Sequence, residues 1–171
     1  YIDSRDTTFL SFSKDASNIY YSNNQLYVID PVNDEVITID SPSDNPSLGT
    51  SINVESPNQM FFYNDRIFIA RDGYRGVEVF NSAGISMDSF SEGFTVNDIF
   101  IDEDSNYIAL SCGYHGVLIY SIDSENNYNE KLAIATSFAY SSVLADDVLY
   151  VATKNGIEKI DLTEELKWDM S

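Results

Sequence analysis

Ile108-Ala109-Leu110-Ser111-Cys112-Gly113-Tyr114-His115-Gly116-Val117-Leu118-Ile119-Tyr120 restates, about 40 residues on, Phe68-Ile69-Ala70-Arg71-Asp72-Gly73-Tyr74-Arg75-Gly76-Val77-Glu78-Val79-Phe80. Each copy is two apolar runs joined by a Gly-Tyr-basic-Gly loop. The runs are short, rich in β-branched and aromatic residues and bounded by glycine, which is how buried strands read.

Outward from this pair the same unit recurs. Ile19-Tyr20-Tyr21, Leu26-Tyr27-Val28-Ile29 and Val36-Ile37-Thr38-Ile39 form one meander, with polar turns at Asn23-Asn24 and Asp34-Glu35 and an outer strand expected at Ser51 to Val54. Val143-Leu144-Ala145, Leu149-Tyr150-Val151-Ala152 and Ile157-Glu158-Lys159-Ile160 form another. In the two central copies the outer strands are expected at Gly84 to Met87 and at Leu132 to Ala135, the latter after a long polar loop. Leu26, Ile67, Tyr107 and Leu149 open the second strands, and Val36, Val77, Val117 and Ile157 open the third, with successive spacings close to 40 residues in both series. Four short strands repeating at that period define an all-β fold, a β-propeller built from four-stranded antiparallel blades. A β-sandwich or a stack of hairpins is the plainer alternative. Near-continuous apolar middle strands favour blades buried on both faces.

The division is 1–17 as an N-terminal strand, 18–57, 58–96, 97–140 and 141–171 as blades. Thr8 to Ser13 reads as a strand of a neighbouring blade or as a closing strand. Leu162 to Met170 is either the outer strand of the fourth blade or a short helix. The strand reading makes the chain part of a larger propeller, which we expect; the helix reading would allow a closed four-bladed ring.

Gly76-Val77-Glu78-Val79-Phe80-Asn81, Gly116-Val117-Leu118-Ile119-Tyr120-Ser121 and Gly156-Ile157-Glu158-Lys159-Ile160-Asp161, each after an apolar strand and a glycine-containing loop, resemble the LVIVD-repeat propellers and, more widely, the WD-like group. The resemblance covers nearly the whole chain and implies a scaffold or interaction module of a surface protein. The first repeat departs from it, with Asp34-Glu35 where the others carry glycine before the third strand.

Composition narrows the function. The chain has 28 acidic and 9 basic side chains and a formal charge of −19, so nucleic acid and anionic bilayers are repelled, and no apolar run is suited to membrane insertion. Abundant Asn, Ser, Asp and Tyr with few Lys and Arg suggest a secreted or cell-surface protein. Cys112 is the only cysteine, so no intrachain disulfide forms; at the end of an apolar run it reads as a small packed residue.

In a propeller the loops between second and third strands share a face with the segments that enter each innermost strand. That face would gather Tyr74, Arg75, Tyr114, His115, Lys154 and Asn155 with Asn18, Asn58 and Asn97, a shallow pocket for a polar or anionic ligand such as a sugar or a peptide carboxylate. The structural alternative is that the glycines serve tight turns, the tyrosines cover them and the asparagines cap turns. On the opposite face, Asp102, Asp104 and Asn106 alternate, and Asp123, Glu125 and Asn127 crowd a second loop, offering oxygen ligands for Ca²⁺ or simply a solvated acidic surface. Motifs for nucleophilic, zinc or nucleotide chemistry do not occur. The expected function is therefore a non-catalytic scaffold binding a protein or glycan. The alternatives are a divalent-metal-dependent propeller hydrolase or lactonase using Asn58, Asn97 and Asp98, and a purely structural segment that packs against further blades, other domains or copies of itself.

Overall fold

The computed structural model describes residues 15–41 and 45–164. The expected strand at Thr8 to Ser13 lies outside these residues, as does the part of Leu162 to Met170 that follows Glu164.

The described chain is a β-propeller of four consecutive antiparallel sheets. Blade 1 holds β1 (Asn18–Ser22), β2 (Gln25–Asp30) and β3 (Glu35–Asp40); two short pieces, β4 (Ser47–Leu48) and β5 (Ile52–Asn53), share the outer edge of β3. Blade 2 runs β6 (Pro57–Tyr63), β7 (Arg66–Arg71), β8 (Val77–Asn81) and β9 (Ser86–Phe90), and blade 3 runs β10 (Asp98–Asp102), β11 (Tyr107–Ser111), β12 (Val117–Ile122) and β13 (Tyr128–Ile134). Blade 4 shows β14 (Ala139–Ala145), β15 (Val148–Thr153) and β16 (Gly156–Asp161).

Local chemistry sets the hairpins. Asn23-Asn24, Asn64-Asp65 and Asp146-Asp147 all take positive φ at both positions, the two-residue turn that matches strand twist and that Asn and Asp tolerate. Blade 1 lacks the glycine before its third strand, and Asp34 supplies the left-handed residue one position earlier, at φ 54°. Asp30 secures that loop. Its buried carboxylate accepts from the N–H groups of Val32 and Asn33 and from Asn33 Nδ2. Burial works against its charge, but these donated hydrogen bonds outweigh it and hold the group below the usual carboxylate range.

Two outer strands differ from expectation. In blade 2 the carbonyl and Oδ1 of Asn81 capture the N–H groups of Ala83, Gly84 and Ile85 in a turn, so pairing begins only at Ser86. In blade 3 part of the polar loop is strand: Tyr128 lies in β13, stacks on Phe90 with centroids 4.5 Å apart, and accepts a 2.7 Å hydrogen bond from Arg66 Nη1.

The register also corrects the repeat alignment by one residue. Leu26, Ile67, Ile108 and Leu149, not Tyr107, occupy equivalent places, since each faces the matching residue of the strands on either side. Alternation then assigns each side chain to a neighbour. Three apolar cores lie between blades: one joins Tyr27, Ile29 and Val36 to Met60, Ile67, Ile69 and Phe80; one joins Phe68, Val77 and Val79 to Ile99, Ile108, Leu110 and Leu118; one joins Ala109, Val117 and Ile119 to Leu144, Leu149 and Val151. The middle strands of blades 1 to 3 are thus buried on both faces, whereas those of blade 4 are buried on one. Inner strands pack in the order β1, β6, β10, β14, and among the described residues no core joins blade 4 to blade 1.

Candidate functional site

The loops between second and third strands are tied to the segments that enter the next blade. Gly76 N donates to Phe94 O, Val96 N to Arg71 O, and Gly113 and Ala139 exchange backbone hydrogen bonds. Under these loops runs an asparagine ladder. Asn18 Nδ2 donates to Asn58 O at 3.0 Å, Asn58 Nδ2 to Val96 O at 3.1 Å and Asn97 O at 3.3 Å, and Asn97 Nδ2 to Ala139 O at 3.0 Å. Each rung joins one blade to the next, from the first residue of β1 in blade 1 and from one residue earlier in the register in blades 2 and 3. The amides of Asn58 and Asn97 therefore serve inter-blade joints that their place before an inner strand did not reveal.

Above the ladder, Tyr74, Tyr114 and His115 converge on a hollow of about 160 Å³ that Thr95, Asn97, Cys112, Gly113 and Phe138 complete. Tyr74 and Tyr114 are 65% and 73% exposed, high for aromatic side chains, so their rings stand available at the rim. Tyr74 is held in the left-handed region at φ 65°, where its N–H donates to Thr95 Oγ1. Tyr114 meets Phe138 edge-on at 4.7 Å, Phe138 continues to Tyr140 at 4.7 Å, and His115 meets Phe94 edge-on at 5.3 Å. Lys154 Nζ lies 4.1 Å from the Tyr114 ring centroid and 4.7 Å from that of Phe138, and donates to the Tyr114 hydroxyl. A lysine from blade 4 thus caps an aromatic surface made by blade 3 and the strand entry of blade 4.

Arg75 is not part of this hollow. Its guanidinium turns to Glu55 and to the carbonyls of Asp72 and Gly73, an outward arrangement that raises the Arg75 pKa and lowers that of Glu55, mainly through their mutual hydrogen bond. The organiser of that loop is Arg71, which pairs with Glu78 at 2.8 Å and also donates to Arg75 O. Neither Arg71 nor Phe138 stood out in the sequence, because the first ends an apolar strand and the second lies in an irregular segment. Cys112 sits at the floor of the hollow, buried, and that burial, with Glu130 adding to it, pushes its thiol up to about 12, so it is a thiol at neutral pH.

On the opposite face the two acidic loops remain apart in their bonding. Asp102 accepts from Asp104 N and Ser105 Oγ, and Asn106 accepts from the Tyr63 hydroxyl. Asp123 accepts from the N–H groups of Glu125 and Asn127 and from the side-chain amides of Asn127 and Asn129, which lower its pKa, the Asn127 side chain foremost. Asp102 and Asp104 face Asp146 and Asp147 across a groove of about 350 Å³. Among the described residues no three His, Cys, Asp or Glu side chains are grouped as metal ligands.

Asp98, one residue beyond the Asn97 rung, is a half-buried acid at the start of β10. Burial raises its pKa, opposed by hydrogen bonds from the backbone N–H groups of Ser142 and Ile99. The equivalent residue of blade 2 is neutral Gln59, which accepts from the Tyr20 hydroxyl.

No family model and no curated protein matches this sequence. Solved structures do match its fold. A protein of Bacteroides uniformis carrying a provisional 6-phosphogluconolactonase assignment superposes with a TM-score of 0.72 at 15% identity, over 85% of this chain and 50% of its own. A protein of unknown function from Desulfotomaculum acetoxidans gives 0.74 at 9% identity, over 90% and 54%. A chain of the mitotic checkpoint complex gives 0.59 at 17% identity, over 80% and 46%. The chain thus spans about half the length of each, and at these identities the likeness is one of propeller fold alone.

Proposed function

We propose that the chain is a non-catalytic binding module of the LVIVD-type propeller kind, belonging to a secreted or cell-surface protein, which holds a protein or glycan partner at the Tyr74–Tyr114–His115 hollow. The observation that carries this reading is the exposed aromatic surface: Tyr114, Phe138 and Tyr140 touch in series, Lys154 lies over the first two rings, and Tyr74 lines the same hollow, on a strongly acidic molecule. Flat rings with polar edges and one cation suit the apolar face of a sugar or an acidic peptide side chain, and the loops rest on a rigid sheet that holds them before contact. The propeller neighbour found within a checkpoint assembly supports a protein partner in general terms. The surface composition supports an extracellular setting.

The test is retention on a glycan and peptide array by the parent chain and by the Tyr74→Ala/Tyr114→Ala double variant. The variant is expected to lose retention while its circular dichroism and unfolding midpoint stay near those of the parent. Undiminished retention by a folded variant would overturn the reading, and a collapsed variant would assign the tyrosines to stability instead.

A further inference from the structure

Tyr128 of blade 3 fills the joint between blades 2 and 3. Its ring stacks on Phe90, meets Phe68 edge-on at 5.7 Å, and its hydroxyl accepts from Arg66 Nη1. The repeat gives each of these residues a counterpart one joint earlier. By register Gln25 stands where Arg66 stands, and Tyr27 where Phe68 stands. Ile52, opposite Val36, matches Phe90, opposite Val77. Tyr128 lies two residues before Glu130, the partner of Tyr120; the same count back from Ser86, the partner of Phe80, reaches Gly84. The joint between blades 1 and 2 thus keeps three matching walls, while the residue that would fill it has no side chain.

The structure has a hollow of about 90 Å³ at that place, lined by Gln25, Tyr27, Thr38, Ser51, Ile52 and Gly84. A second hollow, of about 160 Å³, shares Tyr27 and Ser82 with it and adds Phe62, whose ring centroid lies 4.8 Å from that of Tyr27. Two irregularities keep the space open. The outer edge of blade 1 is broken between β4 and β5, where Gly49 N donates to Thr38 O and Thr38 Oγ1 to Thr50 O at 2.7 Å. Across from it, the Asn81 turn keeps residues 82–84 out of the strand. A side chain at position 84 would not fit: a Cβ there would lie 2.9 Å from Ile52 Cγ1, at φ 73°.

We propose that this hollow is a binding site for a small neutral phenol, whose ring takes the place that the Tyr128 ring takes in the next joint. Tyr27 and Ile52 give it apolar walls, as Phe68 and Phe90 do for Tyr128. An apolar cavity of about 150 Å³ holds benzene; the two hollows lie on either side of that size, so the space suits one ring with a short substituent. No residue around the smaller hollow is charged at neutral pH, and a chain of net −19 repels anions, which favours an uncharged ligand. Thr38 Oγ1 has given its proton to Thr50 O and keeps lone pairs to accept from the ligand hydroxyl. A sugar ring is served worse. Gln25 is already engaged at both ends, accepting from the Tyr27 hydroxyl at 2.8 Å and donating to Asp40 at 2.6 Å, so few donors remain for several hydroxyl groups.

The test is a titration of the 171-residue chain with phenol and, separately, with glucose, followed by amide proton–nitrogen correlation spectra. Phenol is expected to shift the amides of residues 50–52 and 82–84, saturably and with a dissociation constant on the order of 1 mM, the scale of a ligand this small. Glucose is expected to leave them in place. Ser82→Phe, at an exposed position on the wall, fills the space and is expected to abolish the phenol shifts without change in circular dichroism; Ser51→Phe fills it from the facing wall and gives the same test should the first variant not fold. Shifts that are absent or that spread over the molecule without saturating would overturn the proposal, as would glucose shifting the same amides as strongly, or phenol shifts that survive a folded Ser82→Phe or Ser51→Phe.

Discussion

Gly73-Tyr74-Arg75-Gly76 and Gly113-Tyr114-His115-Gly116 look like one loop written twice, yet they are built differently. Between the paired residues Ala70 and Val77 the first loop spans one residue more than the second does between Ser111 and Val117. The shorter loop closes on itself, with His115 N donating to Cys112 O and Gly116 N to Gly113 O. The longer one is braced from outside by Arg71, by Phe94 O accepting from Gly76 N, and by Tyr74 O accepting from Gly93 N. A single added residue thus turns a basic side chain from the hollow to the rim: His115 lines the aromatic site, while Arg75 pairs with Glu55. The difference shows that similar letters at similar spacing define a shared frame without defining a shared surface, because a one-residue change of register exchanges the faces on which side chains emerge.

The strongest way to break the comparison is at what the loops share, their closing glycine. A Cβ on Gly116 would lie 2.0 Å from Ile134 O, and one on Gly76 would lie 2.3 Å from Phe90 O, both at positive φ. Gly116→Ala and Gly76→Ala are each expected to cost about 3 kcal/mol or more in urea unfolding, strain and backbone clash together. Gly156→Ala, which meets nothing within 4 Å, bears the conformational cost alone, about 1–2 kcal/mol. Equal losses at all three would show that the close approach to the outer strand is unimportant.

A smaller effect separates the loops by their bracing. Arg71→Met removes the ion pair with Glu78 and the bond to Arg75 O, and is expected to cost about 1–3 kcal/mol while raising amide exchange in residues 72–76. Exchange in residues 113–116, held by their own backbone and by Ala139, should not change. Arg75→Ala, at an exposed pair, is the control and should leave stability within measurement error. If both loops loosened together under Arg71→Met, their bracing would not be independent.

The smallest difference is one of pH. Asp98 enters blade 3 with a raised pKa, whereas neutral Gln59 holds the equivalent place in blade 2. A carboxyl whose folded pKa exceeds its unfolded value binds its proton more tightly in the native state. Its contribution is complete below the ordinary carboxylate range and is lost as pH rises through the folded value. Asp98→Asn is therefore expected to flatten that part of the stability–pH curve, read as the unfolding midpoint between mildly acidic and neutral pH. An unchanged curve would assign the slope to other acids.

Much of this molecule was legible in its order of residues. Blades, turn chemistry and, in blades 1 to 3, both-face burial of the middle strands follow from apolar runs of strand length, from Asn and Asp at two-residue turns, and from a steady repeat. The hollow was half legible. Tyr74, Tyr114 and His115 announced themselves by recurrence, but Phe138 lies in no periodic run and Arg71 resembles any strand end, so their roles emerge only when adjoining blades meet. Asn18, Asn58 and Asn97 were visible as a set; that their amides cross to the next blade was not, since no local pattern encodes a contact about 40 residues away.

The sequence by itself determined the unit: a four-stranded meander whose alternation and turns follow from side-chain size, branching and backbone preference within a few residues. Tertiary structure alone decided which letters of the unit face each neighbour and which of two similar loops opens to the aromatic hollow. Those outcomes depend on register and on contacts between blades, and a shift of one residue reverses them while leaving the local pattern almost unchanged.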